Sequence, residues 1–128
     1  MKVLNSAVIV ALLFAVSCAS TKKPDVRDTS LKIEFDLTRL DRDGLRGPPD
    51  GKVAVSYEFC IPNTDDCKAQ VRAIDRTVEF MPGSRGRIGA TKEQCLCIGA
   101  THQTNYRAVL FSLAELPYIE RIIECHFE

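Results

Sequence analysis

Apolar and polar side chains alternate without interruption over residues 31–38, which is the period of a strand with one buried face. The same alternation returns over residues 53–60. Shorter runs rich in β-branched, aromatic and other apolar residues cover 78–81, 94–98 and 121–127. The pattern therefore predicts a strand in each of these segments.

The spacing of apolar residues changes to that of a helix in two places. The first helix is predicted over about 65–76, where Asn63 or Thr64 can cap its N-terminus. The second begins after Thr104, which can cap it, and is stopped by Pro117. The apolar positions that define the two helices are Cys67, Val71, Ile74 and Val78, then Tyr106, Val109, Leu110 and Leu113.

Two segments carry turn residues and no apolar period. Residues 39–52 hold three glycines, two prolines and mixed charge, and residues 83–91 are rich in glycine and arginine. Glycine and proline in such numbers interrupt both helices and strands. We therefore expect exposed loops at 39–52 and 83–91.

After the first strand, the predicted order of elements is β-α-β-β-α-β, and a short internal repeat supports it. The sequence Cys-Ile-x-x-Thr precedes each helix, at 60–64 and again at 97–101. This order is typical of an α+β protein, and we predict a ferredoxin-like β-α-β-β-α-β sandwich preceded by an extra N-terminal strand. That extra strand either extends one edge of the sheet or belongs to a different α+β arrangement.

The N-terminus has the anatomy of an export signal. Lys2 provides a positive charge, residues 7–16 are ten consecutive apolar residues, and small residues follow at once over 17–20. No other stretch approaches the length of about 20 apolar residues that a membrane-spanning helix needs. The sequence therefore predicts an exported protein with no transmembrane helix in its mature part.

Residues 15–18, Ala-Val-Ser-Cys, resemble the lipobox of bacterial lipoproteins, although Ala15 stands where the family usually has leucine. The resemblance implies cleavage before Cys18, acylation of that cysteine and anchoring of the protein to a membrane of the bacterial cell envelope. The alternative is ordinary cleavage after Ala19, which leaves a periplasmic or secreted protein. On the lipoprotein reading, residues 1–17 are the signal peptide, 18–30 a tether and 31–128 a single α+β domain.

The charge of the chain limits the classes of partner. Seventeen basic residues balance seventeen acidic ones, and the longest basic run is Lys22-Lys23. Nucleic acids require a concentrated positive patch, so we predict no nucleic-acid partner. The expected partners are the membrane, through the lipid anchor, and a protein of the envelope.

Cysteine usage suggests structural cross-links. Six cysteines are present, and setting aside Cys18 leaves an odd number in an oxidising compartment. If Phe59 and Leu96 both face the helices, the cysteines next to them point to the helix-free face. The candidate disulfides are then Cys60 with Cys95 across two strands, or Cys60 with Cys67 across the strand-to-helix loop.

A metal site is the first alternative, because thiolates and imidazole suit copper and zinc. Residues 114–123 resemble the end of heavy-metal-associated domains in outline, but the Cys-x-x-Cys of those domains is absent. No other cofactor is expected. The candidate ligands are Cys95, Cys97 and His102, with Cys125 or His126 as a further one.

The loop between the strand predicted over 94–98 and the second helix is a candidate ligand site. Backbone N–H groups at a helix start favour anions, and Thr101, His102, Gln103 and Thr104 occupy that position. A nucleophilic pair of Cys97 with His102 has no identifiable third group or oxyanion donor. The sequence therefore favours a non-catalytic binding or structural module over a metal-handling protein or a thiol-dependent enzyme. The 39–52 loop or the helix-free sheet face would be its contact surface.

Overall fold

The structure is a computed structural model that describes residues 26–127. A short 3-10 turn, Leu37–Arg39, follows the helix at Val26–Leu31. The helices and antiparallel strands confirm the predicted α+β class. In chain order the elements are α1 (Val26–Leu31), β1 (Leu45–Arg46), β2 (Val53–Ala54), β3 (Ser56–Pro62), α2 (Asp65–Ile74), β4 (Glu79–Pro82), β5 (Gln94–Ala100), α3 (Tyr106–Glu115) and β6 (Ile123–Cys125).

Four strands form one antiparallel sheet in the order β4-β5-β3-β6, and β1 and β2 form a separate antiparallel hairpin. At the centre, β3 and β5 pair from Ser56 opposite Ala100 to Pro62 opposite Gln94. Helix α2 connects β3 to β4, and α3 connects β5 to β6. Each helix therefore crosses over one intervening strand.

Helices α2 and α3 cover the same face of the sheet and enclose the hydrophobic core. Burying one large apolar side chain in such a core contributes about 1.5–3 kcal/mol. The fully buried core positions of the sheet and of the two helices are Tyr57, Phe59, Ile61, Cys95, Cys97, Val71, Leu110, Leu113 and Ala114.

The two helices begin differently. The hydroxyl of Thr64 accepts a hydrogen bond from the Cys67 N–H at 3.3 Å, which confirms the predicted cap of α2. The predicted cap of α3 at Thr104 is wrong. Asn105 occupies the cap position in a left-handed conformation (φ 56°), and its side chain makes no capping hydrogen bond.

The predicted N-terminal strand over 31–38 is wrong. Residues Val26–Leu31 are helical, and only Ile33 forms a bridge, parallel to Ile122 at the outer side of β6. The alternation is nevertheless real, because Ile33, Phe35 and Leu37 pack against the core. Ile33 forms the bridge and Leu37 begins the 3-10 turn, so these side chains are buried without a strand ladder.

The other boundaries differ less. The strand predicted over 53–60 is divided into β2 and β3. The partner of β2 is β1, which lies within the predicted 39–52 loop. Within residues 26–127, no helix combines the length and apolar character needed to cross a membrane. The predicted signal peptide and Cys18 lie outside the described residues.

Candidate functional site

The strand register places the candidate cysteines on different faces of the sheet. Cys97 lies opposite Phe59 and Cys95 lies opposite Ile61, so both thiols belong to the fully buried core under the helices. Cys60 lies opposite Leu96 on the other face. The expectation that all three cysteines share the helix-free face is wrong, because Phe59 and Leu96 themselves point to opposite faces.

This register also separates the cysteines of both candidate disulfides. Cys60 and Cys95 have the sheet between them, and Cys67 packs against the core from the helix side. Cysteines whose side chains point apart cannot be joined without movement of the backbone. The described thiols are all free: Cys60, Cys67, Cys95, Cys97 and Cys125.

The candidate metal ligands are not brought together. Cys95 and Cys97 have no exposed surface, whereas His102 is exposed and its Nδ1 lies 3.1 Å from the Asp43 carbonyl oxygen. Among residues 26–127, no three His, Cys, Asp or Glu side chains are placed to hold one ion. The predicted set of Cys95, Cys97 and His102 is therefore wrong as a ligand geometry.

The same separation argues against the thiol enzyme. Burial, together with the neighbouring Cys95 thiol, raises the pKa of Cys97 far above its usual range. The Cys97 thiol donates a hydrogen bond to the Cys95 carbonyl oxygen at 3.7 Å. A buried thiol with a raised pKa has little thiolate with which to attack a substrate.

The structure does bring two other candidates together, the 39–52 loop and the loop at 101–104. The buried Thr101 hydroxyl accepts a hydrogen bond from the Val55 N–H at 2.9 Å and donates one to the Gly44 carbonyl at 2.5 Å. Gly44 has φ 75°, and a Cβ there would lie 1.9 Å from the Thr101 carbonyl oxygen. The contact between the loops therefore requires glycine at this position.

The Asp41 side chain holds the 39–52 loop in shape. Its carboxylate accepts hydrogen bonds from the N–H groups of Asp43 at 2.9 Å and Leu45 at 3.0 Å, and from Lys52 Nζ at 2.8 Å. The hydrogen bonds from Lys52 and then from Leu45 lower the pKa of Asp41 to about 2. The Tyr106 hydroxyl donates to the Asp41 carbonyl at 2.8 Å, which ties the loop to α3.

The docked loops present a polar surface to solvent. The side chain of Arg42 is 93% exposed and that of Asp43 is 62% exposed, and they form an ion pair at 3.9 Å. A shallow concavity of about 390 Å³ lies between them and the start of α3. We call this region the docked-loop surface, and its members are Arg42, Asp43, His102, Thr104 and Asn105.

Gln103, the remaining residue of the predicted ligand loop, points inward. Its Nε2 donates to the Ala100 carbonyl at 2.8 Å and to Asp75 Oδ1 at 3.1 Å. Asp75 is fully buried and accepts a hydrogen bond from the Tyr57 hydroxyl and another from Thr77 at 2.7 Å. Burial and the Asp75 carboxylate raise the pKa of Tyr57 far above its usual range.

The roles of the predicted residues are thus divided. Cys95 and Cys97 pack the core, Thr101 and Gln103 hold loops in place, and His102 and Thr104 are exposed at the docked-loop surface. The docked-loop surface thus presents polar groups to solvent. Comparisons with protein-family models, with curated proteins and with solved structures found no match to this chain.

Proposed function

We propose that this chain is a lipid-anchored module of the bacterial cell envelope that binds a partner protein through the docked-loop surface. The observation that carries the proposal is the fixed geometry of the 39–52 loop. Buried Thr101, the Asp41 carboxylate and the Tyr106 hydroxyl hold the loop, while Arg42 and Asp43 remain exposed at its tip. A loop that is ordered before binding loses little conformational entropy in the complex.

Membrane anchoring is the part of the proposal that rests on the sequence. The apolar run over 7–16 and the lipobox-like residues 15–18 support cleavage before Cys18. Acyl chains on Cys18 would hold the protein at a membrane, since each buried methylene contributes about 0.8 kcal/mol. The residues between Cys18 and the start of α1 at Val26 would then connect the anchor to the folded domain and keep the docked-loop surface within reach of envelope proteins.

We further propose that the domain has ferredoxin-like topology. From β3 onward the elements follow the order β-α-β-β-α-β, and β3 and β5, the first strands of the two halves, are neighbours at the sheet centre. Both helices pack on one face, as that sandwich requires. On this proposal, α1 and the β1–β2 hairpin are additions at the N-terminal side.

Replacing Cys18 with serine is expected to move the protein from the membrane fraction to the soluble fraction of a bacterial envelope preparation. The substitution removes the thiol that receives the lipid, so the intact mass of the protein should no longer include the acyl chains. Replacing Cys60 with serine is the matched control and should leave the protein in the membrane. An unacylated wild-type protein that begins after Ala19 would contradict the anchor.

A photo-cross-linking amino acid at Arg42 is expected to give one discrete adduct with an envelope protein in living cells. The same amino acid at Ala69, an exposed position of α2, should give none, because α2 lies outside the docked-loop surface. Gel shift and mass spectrometry of the adduct provide the measurement.

Competition shows whether the adduct reports specific binding. Added purified wild-type protein should abolish the adduct in isolated envelopes, whereas an Arg42→Glu variant should not, since it reverses the charge at the tip of the loop. Equal adducts from Arg42 and Ala69, or no adduct from Arg42 and His102, would reject the proposed function.

A further inference from the structure

The face of the sheet opposite the helices is also covered, by the segment over residues 83–91. Leu96 is 1% exposed and Glu58 is 2% exposed, although both point away from the helices. A Cβ on Gly86 would lie 2.8 Å from Leu96 and 3.0 Å from the Glu58 carboxylate. The backbone at Gly86 therefore lies directly on these two side chains, and we call residues 83–91 the strap.

The strap is joined to the sheet through a buried carboxylate. The Ile88 N–H donates to Glu58 Oε1 at 2.7 Å. Within the strap, the Arg85 carbonyl accepts hydrogen bonds from the N–H groups of Gly89 at 3.1 Å and Ala90 at 2.7 Å. The strap thus has its own hydrogen-bonded turn, which does not depend on the contact with Glu58.

The strap buries little of itself. Ala90 is buried and Ile88 half-buried, whereas the glycines at 83, 86 and 89 and the side chain of Arg85 are exposed. Segments with few buried apolar contacts and solvent-facing backbone open at a lower free energy than the fold as a whole. At Gly86, therefore, only one layer of backbone separates solvent from Leu96 and Glu58.

We propose that the strap opens as a unit from the helix-free face, with the hydrogen bond between Ile88 and Glu58 as its latch. A concavity of about 390 Å³ already lies at its margin, lined by Cys60, Ile88 and Gly89 among others. Opening extends this concavity across Leu96 and Glu58. The inference is independent of the docked-loop surface and of the lipid anchor.

Hydrogen exchange of the wild-type full chain tests the opening. The Ile88 amide is expected to exchange about 100-fold faster than the amides of β3 at the sheet centre, because local opening requires less free energy than global unfolding. Equal rates for Ile88 and β3 would mean that the strap opens only when the domain unfolds, and would overturn the proposal.

Two glycine variants test whether contact at Gly86 keeps the strap closed. Gly86→Ala inserts a Cβ against Leu96 and Glu58, whereas Gly83→Ala places a Cβ with nothing within 4 Å at a similarly positive φ. Peptide-resolved alkylation of the full chain should be about tenfold faster at Cys60 in Gly86→Ala than in Gly83→Ala, because both variants carry the strain of alanine at positive φ and only Gly86→Ala adds the Cβ contact.

Alkylation of Cys97, in the core, serves as the internal reference for global unfolding. Its rate should stay about 100-fold below that of Cys60 in wild type and in both variants, because Cys97 reacts only after global unfolding. A Cys60 rate in Gly86→Ala no higher than in Gly83→Ala, or a Cys97 rate equal to that of Cys60, would count against a locally opening strap.

Discussion

Replacing Gly44 with alanine is expected to lower the free energy of unfolding by about 3 kcal/mol, which sums the strain of alanine at positive φ and the cost of overpacking. The added Cβ would lie 1.9 Å from the Thr101 carbonyl oxygen and 2.6 Å from its carbonyl carbon. Both atoms belong to the backbone, so no side-chain rotation relieves the clash. Denaturant unfolding of the purified variant measures the loss.

A matched glycine separates the clash from the strain. Gly89 has φ 81°, and a Cβ added there would meet nothing within 4 Å, so Gly89→Ala should lower the free energy of unfolding by only about 1 kcal/mol. Equal losses in the two variants would show that the contact between Gly44 and Thr101 adds nothing. Gly44→Ala should also lose the cross-link from Arg42, because the tip of the loop is no longer held.

The sequence predicted the secondary structure best where one face of an element is buried and the other is exposed to solvent. Helix α2 lies within the predicted 65–76, and Thr64 caps it as expected. The polar side chains of α2 face solvent while Val71 is buried, so the helical period is visible in the sequence. Local rules and the core agree for this element.

The cysteine faces were predicted wrongly because β5 is apolar on both sides. Cys95, Leu96 and Cys97 are all buried, the cysteines under the helices and the leucine under the strap. Alternation is lost when both faces are covered, and a one-residue error in phase exchanges the faces. The sequence of the strap does not predict that it covers the sheet, since its glycines and arginines are equally typical of a solvated loop.

The buried polar network escaped prediction for a related reason. Asp75 follows α2 and Gln103 lies between β5 and α3, positions where polar residues are ordinarily exposed. Their burial depends on Tyr57, which is remote from both in the chain and lies against Gly99. Such a contact follows from the packing of β3 against β5, not from any local pattern.

The docked-loop surface was predicted in part. The sequence identified both loops as candidates for binding, from glycine and proline content at 39–52 and from the helix start at 101–104. Their contact depends on Thr101 accepting and donating hydrogen bonds across 46 and 57 positions of the chain. Periodicity carries no information at that range, so only the structure joins the two loops into one surface.

Replacing Tyr57 with phenylalanine is expected to lower the free energy of unfolding by about 3 kcal/mol at pH 8, because a buried carboxylate loses a donor. The Tyr57 hydroxyl donates a hydrogen bond to Asp75 Oδ2, whereas Thr77 and Gln103 donate to Oδ1. Phenylalanine keeps the ring that stacks on Phe35 and Phe59, so the change is confined to the hydroxyl. Denaturant unfolding of both proteins measures it.

The difference between the two proteins should shrink at alkaline pH. Burial and the Asp75 carboxylate raise the pKa of Tyr57 in the folded state above the unfolded value of about 10. The stability that this shift contributes is complete below pH 10 and is lost as pH rises above it. At pH 10.5 the wild type should have lost about 0.8 kcal/mol that the phenylalanine variant cannot lose.

Tyr118→Phe is the matched control for loss of a hydroxyl. The Tyr118 hydroxyl donates to Gln70 Oε1 at 2.7 Å at the surface, where water replaces the lost partner. We therefore expect a change within about 0.5 kcal/mol at pH 8. If Tyr57→Phe were no more destabilising than Tyr118→Phe, water would have to replace the lost donor and the Asp75 carboxylate would not be buried.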